Sequence, residues 1–190
     1  MTITDSAAST KTCQLYYVSP QQINLVVPDG VTNGAATLTV QRDSGKPIAG
    51  NVTVNSVAPG LFTLGGSGVG AIGGLRVDAD GRHSDVPVYT YNDQQKQYVA
   101  AAIDLGAATD QVYLSIYGTG IRGFGNLSAI SVTIAGKPVP VLAAVAQSEY
   151  PGLDQVNVGP LPRTLAGSGS TNLSLRINNV NSNNVTVNIK

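Results

Sequence analysis

One pentapeptide occurs twice in this chain, as Asn51-Val52-Thr53-Val54-Asn55 and again as Asn184-Val185-Thr186-Val187-Asn188, 133 positions later. Apolar and polar side chains alternate through it, and a period of two puts the valines on one face of an extended strand and the polar groups on the other. Such a strand needs a neighbour along its edge and a second layer over its valines. The same offset relates Gln22-Ile23-Asn24-Leu25 to Gln155-Val156-Asn157-Val158. Between these anchors Thr37-Leu38-Thr39-Val40 answers Asn172-Leu173-Ser174-Leu175, with a two-residue insertion. The chain therefore reads as two copies of one β module. The second copy has strand-like segments ahead of its Gln-Val-Asn stretch, residues 112–118 and 129–145, that the first lacks almost entirely. The first copy is thus expected to be truncated at its N-terminus, with an open strand edge and an uncovered core face.

Composition agrees with an all-β chain. Val, Ile and Thr supply 50 of the 190 residues, and 22 Gly and 10 Pro are dispersed between them. β-branched side chains suit a pleated sheet, and Gly and Pro suit the turns. Alternation predicts strands over residues 14–18, 22–27, 36–41 and 50–57, then 75–78, 85–91 and 97–103. Six more are expected over residues 111–118, 129–135, 139–146, 153–158, 171–178 and 184–189, a spacing that suits a small Greek-key sandwich. Residues 1–12 are small and polar without a period and read as a disordered leader or fusion tail; Thr2-Ile3-Thr4-Asp5-Ser6 resembles the β-galactosidase leader of cloning vectors. The expected organisation is that tail, a truncated module over 13–58, a Gly-rich connector with a small β segment over 59–110, and a complete module over 111–190.

Charge and rare residues narrow the chemistry. Eleven Lys and Arg balance eleven Asp and Glu, and charged residues are only 12% of the chain, so it has no electrostatic footprint for nucleic acid. No apolar run reaches the length of a membrane span, and no basic stretch precedes an apolar one as in a signal peptide. Cys13 is the only cysteine, which rules out an intrachain disulfide, and a lone Cys is more often a small buried hydrophobe than a nucleophile. His83 is the only imidazole, so any Ser-His or Cys-His chemistry must pass through it, with Asp80 and Asp85 as the nearby carboxylates. No Gly-x-Ser-x-Gly elbow marks a nucleophile.

Three further groups of residues invite a function. Asp78-Ala79-Asp80-Gly81-Arg82-His83-Ser84-Asp85 resembles the front of a calcium loop, making Asp78, Asp80 and Asp85 weak Ca²⁺ candidates, but the closing Glu and flanking helices of an EF-hand are missing. A solvated hairpin turn is the plainer expectation, and no other cofactor is expected. Glu149 and Asp154 flank Pro151-Gly152, whose order is that of a type II turn. The glycines of residues 65–74 and of Gly118-Thr119-Gly120 lack the Lys-Ser/Thr ending of a phosphate loop and read as plain loops. Tyr89 and Tyr91 fall on one face of a strand and Tyr98 on the returning one, so the three rings either stack on a sugar or a protein partner or cover one another.

Four motifs carry a family resemblance: Tyr17-Val18-Ser19-Pro20-Gln21-Gln22-Ile23-Asn24 with Val27-Pro28, Ala58-Pro59-Gly60-Leu61-Phe62-Thr63, Ser115-Ile116-Tyr117-Gly118-Thr119-Gly120, and Pro151-Gly152-Leu153-Asp154-Gln155-Val156-Asn157. In this order, over residues 13–190, the chain resembles an uncharacterised immunoglobulin-like module that recurs, often C-terminally, in large exported proteins of acidobacteria. The resemblance implies immunoglobulin-like β-sandwich modules in an extracellular or cell-surface protein, and it carries no catalytic residues. Together these readings point to a non-catalytic accessory, adhesion or spacer module that binds a protein or polysaccharide surface. The open edge of the first copy is expected to take up a strand from the tail or from another chain, the latter giving a homo-oligomer. The alternative is a small hydrolase organised around His83 and its neighbouring carboxylates.

Overall fold

The computed structural model describes residues 1–190, which divide into two compact units, Met1–Ser56 and Val57–Lys190. Both are built of strands, joined by turns and by three short 3-10 segments. No helix is long and apolar enough to cross a membrane.

The first unit has six strands: β1 (Thr2–Thr4), β2 (Thr10–Thr12), β3 (Gln14–Val18), β4 (Ile23–Val26), β5 (Gly34–Val40) and β6 (Ile48–Val54). Four form an antiparallel sheet in the order β2-β1-β5-β6, and β3 and β4 form a hairpin of their own. Residues 1–12, expected as a disordered tail, are instead the β1–β2 hairpin, whose first strand pairs with β5 from Thr2↔Thr39 to Thr4↔Thr37. The reason is local. Ile3 alternates inward and is 1% exposed, packed in a small core with Cys13 and Ala36. Asp5 closes the turn after it, its Oδ1 accepting from the N–H of Ala7 at 3.0 Å and of Ser9 at 2.9 Å. Its Oδ2 accepts from Thr32 N–H at 2.8 Å, which ties the hairpin to the loop before β5.

The second unit begins where a connector was expected. Its strands are β7 (Gly60–Leu61), β8 (Ile72–Val77), β9 (His83–Asp85), β10 (Tyr89–Asn92), β11 (Gln97–Ala100), β12 (Ala102–Ile103), β13 (Gln111–Thr119), β14 (Ile130–Ile134), β15 (Lys137–Val139), β16 (Val141–Ala146), β17 (Asp154–Val158), β18 (Gly169–Ile177), β19 (Val180–Asn181) and β20 (Val185–Ile189). One six-stranded sheet runs β16-β17-β13-β8-β9, with β7 on the C-terminal end of β13; the other runs β12-β20-β18-β14-β15, with β19 on β18. The inward residues of both sheets form one core. It includes Leu114 and Ile116 of β13, Val156 and Val158 of β17, Leu173 and Leu175 of β18, and Val185, Val187 and Ile189 of β20.

Residues 59–110 are thus part of this unit rather than a link to it. β8 lies along β13, β12 pairs in parallel with β20, and Leu61, Ile72, Val86, Val88, Ile103 and Leu105 enter the shared core. Residues 111–190 alone leave β13 without its β8 neighbour, so the module expected there is completed by the preceding segment. The glycines read as loops include strand positions. A Cβ on Gly74 of β8 would stand 2.6 Å from the Val86 carbonyl oxygen, and one on Gly118 of β13 would stand 2.5 Å from that of Gly60. Glycine is used at these places for close approach of backbone. The single strand expected over residues 85–91 is split in two at Pro87, which has no N–H to give to a ladder.

The repeated segments occupy matching strands. The first pentapeptide lies in and just after β6, beside β5, and the second spans the start of β20, beside β18. The hairpins ahead of them also match: β3–β4 pairs Leu15↔Leu25 and then Tyr17↔Asn24, while β16–β17 pairs Val141↔Val158 and then Ala143↔Asn157. Both carry a one-residue irregularity, at Tyr16 and at Leu142. β3 is thus paired to β4 with the same kind of irregularity as β16 to β17.

Candidate functional site

The aromatic group expected from the sequence is assembled on a two-stranded sheet of its own, β10–β11. The register pairs Tyr91 with Tyr98 and Tyr89 with Ala100, so the three rings share one face. Asn92 sets the hairpin turn, its Oδ1 accepting from Gln94 and Gln95 N–H, each at 3.0 Å. Tyr98 meets both other rings edge to face, with centroids 5.8 Å from Tyr89 and 5.3 Å from Tyr91. That geometry fits the aromatic quadrupole and holds the rings in place. Tyr89 and Tyr91 nevertheless remain 42% and 48% exposed, large for aromatic side chains already packed on one another.

The acidic and imidazole candidates are spread along a hairpin turn. Asp78 Oδ1 accepts from Asp80 N–H at 2.9 Å and Arg82 N–H at 2.8 Å, so it shapes the turn between β8 and β9. Asp80 pairs with Arg82 at 3.3 Å on the surface. His83 and Asp85 are two residues apart on the exposed strand β9, opposite Val77 and Leu75 of β8. No three of the His, Cys, Asp and Glu side chains converge in a geometry that would hold a metal ion. Asp154 is separate again: 2% exposed, it accepts from Ile121 N–H at 2.8 Å through Oδ2, and its Oδ1 lies 2.5 Å from Arg122 Nε as an ion pair rather than an aligned hydrogen bond. Glu149 is exposed on the far side of a turn in which Leu153 N–H donates to Tyr150 C=O at 3.0 Å and Gly152 has φ 83°. These are the marks of a type II turn.

Sequence reasoning passed over a second surface, the outer face of β13. Val112, Leu114 and Ile116 point into the core, and Tyr113, Ser115 and Tyr117 between them point away. Across the β13–β17 ladder Asn157 stands opposite Ser115 and Gln155 opposite Tyr117, and on the other side Gly73 of β8 stands opposite Ser115. Tyr113, Ser115, Tyr117, Asn157, Gly73 and Leu142 line a trough of about 340 Å³, and Gln155 adjoins it through its bond to Asn157. The signal was present as the Gln-x-Asn element of the repeat beside the alternating strand of residues 111–118, but nothing in the sequence placed one beside the other. The same register bears on catalysis. His83 lies two strands and two pleats from Ser115, roughly 17 Å away by strand spacing and rise, far beyond hydrogen-bond reach.

Compared with protein-family models, with curated proteins and with solved structures, the chain matches none.

Proposed function

We propose that this chain is a non-catalytic accessory, adhesion or spacer module of an exported or cell-surface protein, built of immunoglobulin-like sandwiches, and that it acts by binding a protein or carbohydrate partner. The observation that carries the reading is the tyrosine face of the β10–β11 hairpin, which keeps two large amphipathic rings in solvent, fixed by the third. Rigid exposed aromatics supply contact area at low entropic cost, which is why they anchor binding surfaces. The resemblance of four motifs to modules of exported acidobacterial proteins supports the extracellular setting. The exposed, scattered positions of His83, Asp80 and Asp85 weigh against a hydrolase.

The test is retention of the purified protein on insoluble polysaccharides and on bacterial cell surfaces, beside a variant with Tyr89, Tyr91 and Tyr98 all changed to Ala and beside His83→Ala. The expected result is retention of the wild type and of His83→Ala, with retention weakened in the tyrosine variant. Hydrolysis of any ester, peptide or glycoside substrate that disappears in His83→Ala would overturn the reading.

A further inference from the structure

The trough on β13 combines features that the tyrosine hairpin lacks, because hydrogen-bonding groups sit between its rings and none of its lining side chains is charged. At its centre Ser115 Oγ donates to Asn157 Oδ1 at 3.0 Å, and Gln155 Nε2 donates to the same oxygen at 2.8 Å. The shared acceptor fixes all three side chains. It leaves Asn157 Nδ2 as a donor and Gln155 Oε1 as an acceptor, neither engaged in these bonds. Tyr113 and Tyr117 flank the group, four residues and so about 14 Å apart along the strand. The Tyr113 hydroxyl donates to Gln111 Oε1 at 2.7 Å, which sets that ring. Gly73 opposite Ser115 leaves the trough floor uncovered.

These groups select a ligand class. A nucleic acid needs cations to neutralise its phosphates, and the trough has none. A peptide that binds by strand addition needs a free edge, and β13 is paired on both sides. A pyranose matches: its C–H face lies on an aromatic ring, and its hydroxyls both donate and accept, as a carboxamide pair requires. The first unit repeats the carboxamide bond alone, with Gln22 Nε2 donating to Asn24 Oδ1 at 2.6 Å. We propose that the Tyr113–Tyr117 trough binds an extended, neutral oligosaccharide of more than one pyranose unit, laid along β13 with its hydroxyls on Asn157 and Gln155. The proposal rests on the reading of the chain as a binding module and adds to it a site and a ligand class.

The experiment presents the full chain with immobilised neutral gluco-, manno- and xylo-oligosaccharides, from disaccharides to hexasaccharides, and with acidic polysaccharides, and then measures the best ligand by calorimetry. Two trough variants are compared with wild type. Tyr117→Ala removes a flanking ring. Gly73→Val fills the trough, and since a Cβ there meets nothing nearer than the Ser115 Cβ at 3.9 Å, the variant is expected to fold and melt as wild type does. The expected result is binding of a neutral oligosaccharide that weakens at least about tenfold in both variants. The trough is overturned if wild type takes none of the neutral sugars or prefers the acidic ones, or if Gly73→Val binds as wild type does. The variant with Tyr89, Tyr91 and Tyr98 changed to Ala separates the two readings: sugar binding lost there and kept in Gly73→Val overturns the trough and leaves the binding module standing.

Discussion

The carboxylate of Asp5 accepts three backbone N–H groups, and the bond from Thr32 first, with those from Ser9 and Ala7, holds its pKa below the ordinary carboxylate value. Hydrogen bonds to the charged form favour it, so the folded chain releases this proton more readily than the unfolded chain does. The contribution to stability is therefore complete above the unfolded value of about 3.9 and is lost as pH falls through the lower native value. The protection factors of the Ala7, Ser9 and Thr32 amides, exchange taken relative to the intrinsic rate at each pH, are expected to fall together below about pH 4, at the unfolded carboxylate value, and Asp5→Asn is expected to remove that acid-linked step. Unchanged protection in the acid range would show that the contacts do not hold the hairpin. Cys13 behaves in the opposite sense, since burial pushes its thiol up, and it is 4% exposed. It is expected to resist iodoacetamide at neutral pH in the folded protein and to react at once in denaturant, as mass spectrometry would record. The meeting of Tyr89, Tyr91 and Tyr98 was legible in the sequence, because strand alternation and a short turn bring such residues together. The role of Asp5 was not, because Thr32 lies 27 residues away and only the fold joins them.

Two copies of one pentapeptide separate what a strand's sequence determines from what its surroundings determine. Val185 and Val187 on β20 are 1% and 0% exposed, whereas Val52 and Val54 on β6 are only half-buried. The sequence is the same, and the layer over it is not. Val187→Ala is expected to cost about 2 kcal/mol or more, while Val52→Ala costs less than about 1 kcal/mol, in urea unfolding followed by signals from each unit. Equal costs would mean that β6 is covered as fully as β20. Most strands were legible for the same reason that this pair is recognisable: alternation marks them wherever one face is buried. Their assembly was less so. The glycines of β8 dilute its strand signal, and the reason for glycine at Gly74, the nearby Val86 carbonyl, exists only in the folded chain. The trough residues were each visible in the sequence, yet the ladder that sets Asn157 beside Ser115 joins segments 42 positions apart.

The two units differ most in how much they bury. The second gathers twenty-five buried residues into one core, while the first has Ile3, Cys13 and Ala36 at its centre and leaves Leu15, Tyr16, Tyr17, Val18, Val27 and Ile48 exposed. A unit of 56 residues is near the lower limit for stability without staples, and this one has no disulfide. Thermal unfolding is therefore expected in two steps, with amides of Met1–Ser56 losing protection at the lower temperature and those of β13, β17 and β18 at the higher. The β1–β2 hairpin decides the first step, since it contributes Ile3 to the small core and pairs one edge of β5. Deleting residues 1–12 removes both contributions and bares a strand edge beside an apolar face, which favours association of chains. The truncated protein is expected to lose the lower transition, to gain concentration-dependent oligomers in sedimentation, and to keep the upper transition. A truncated chain that stays monomeric and keeps both transitions would mean that the hairpin adds nothing to the first unit. A single transition in the full chain would mean instead that the two units unfold as one.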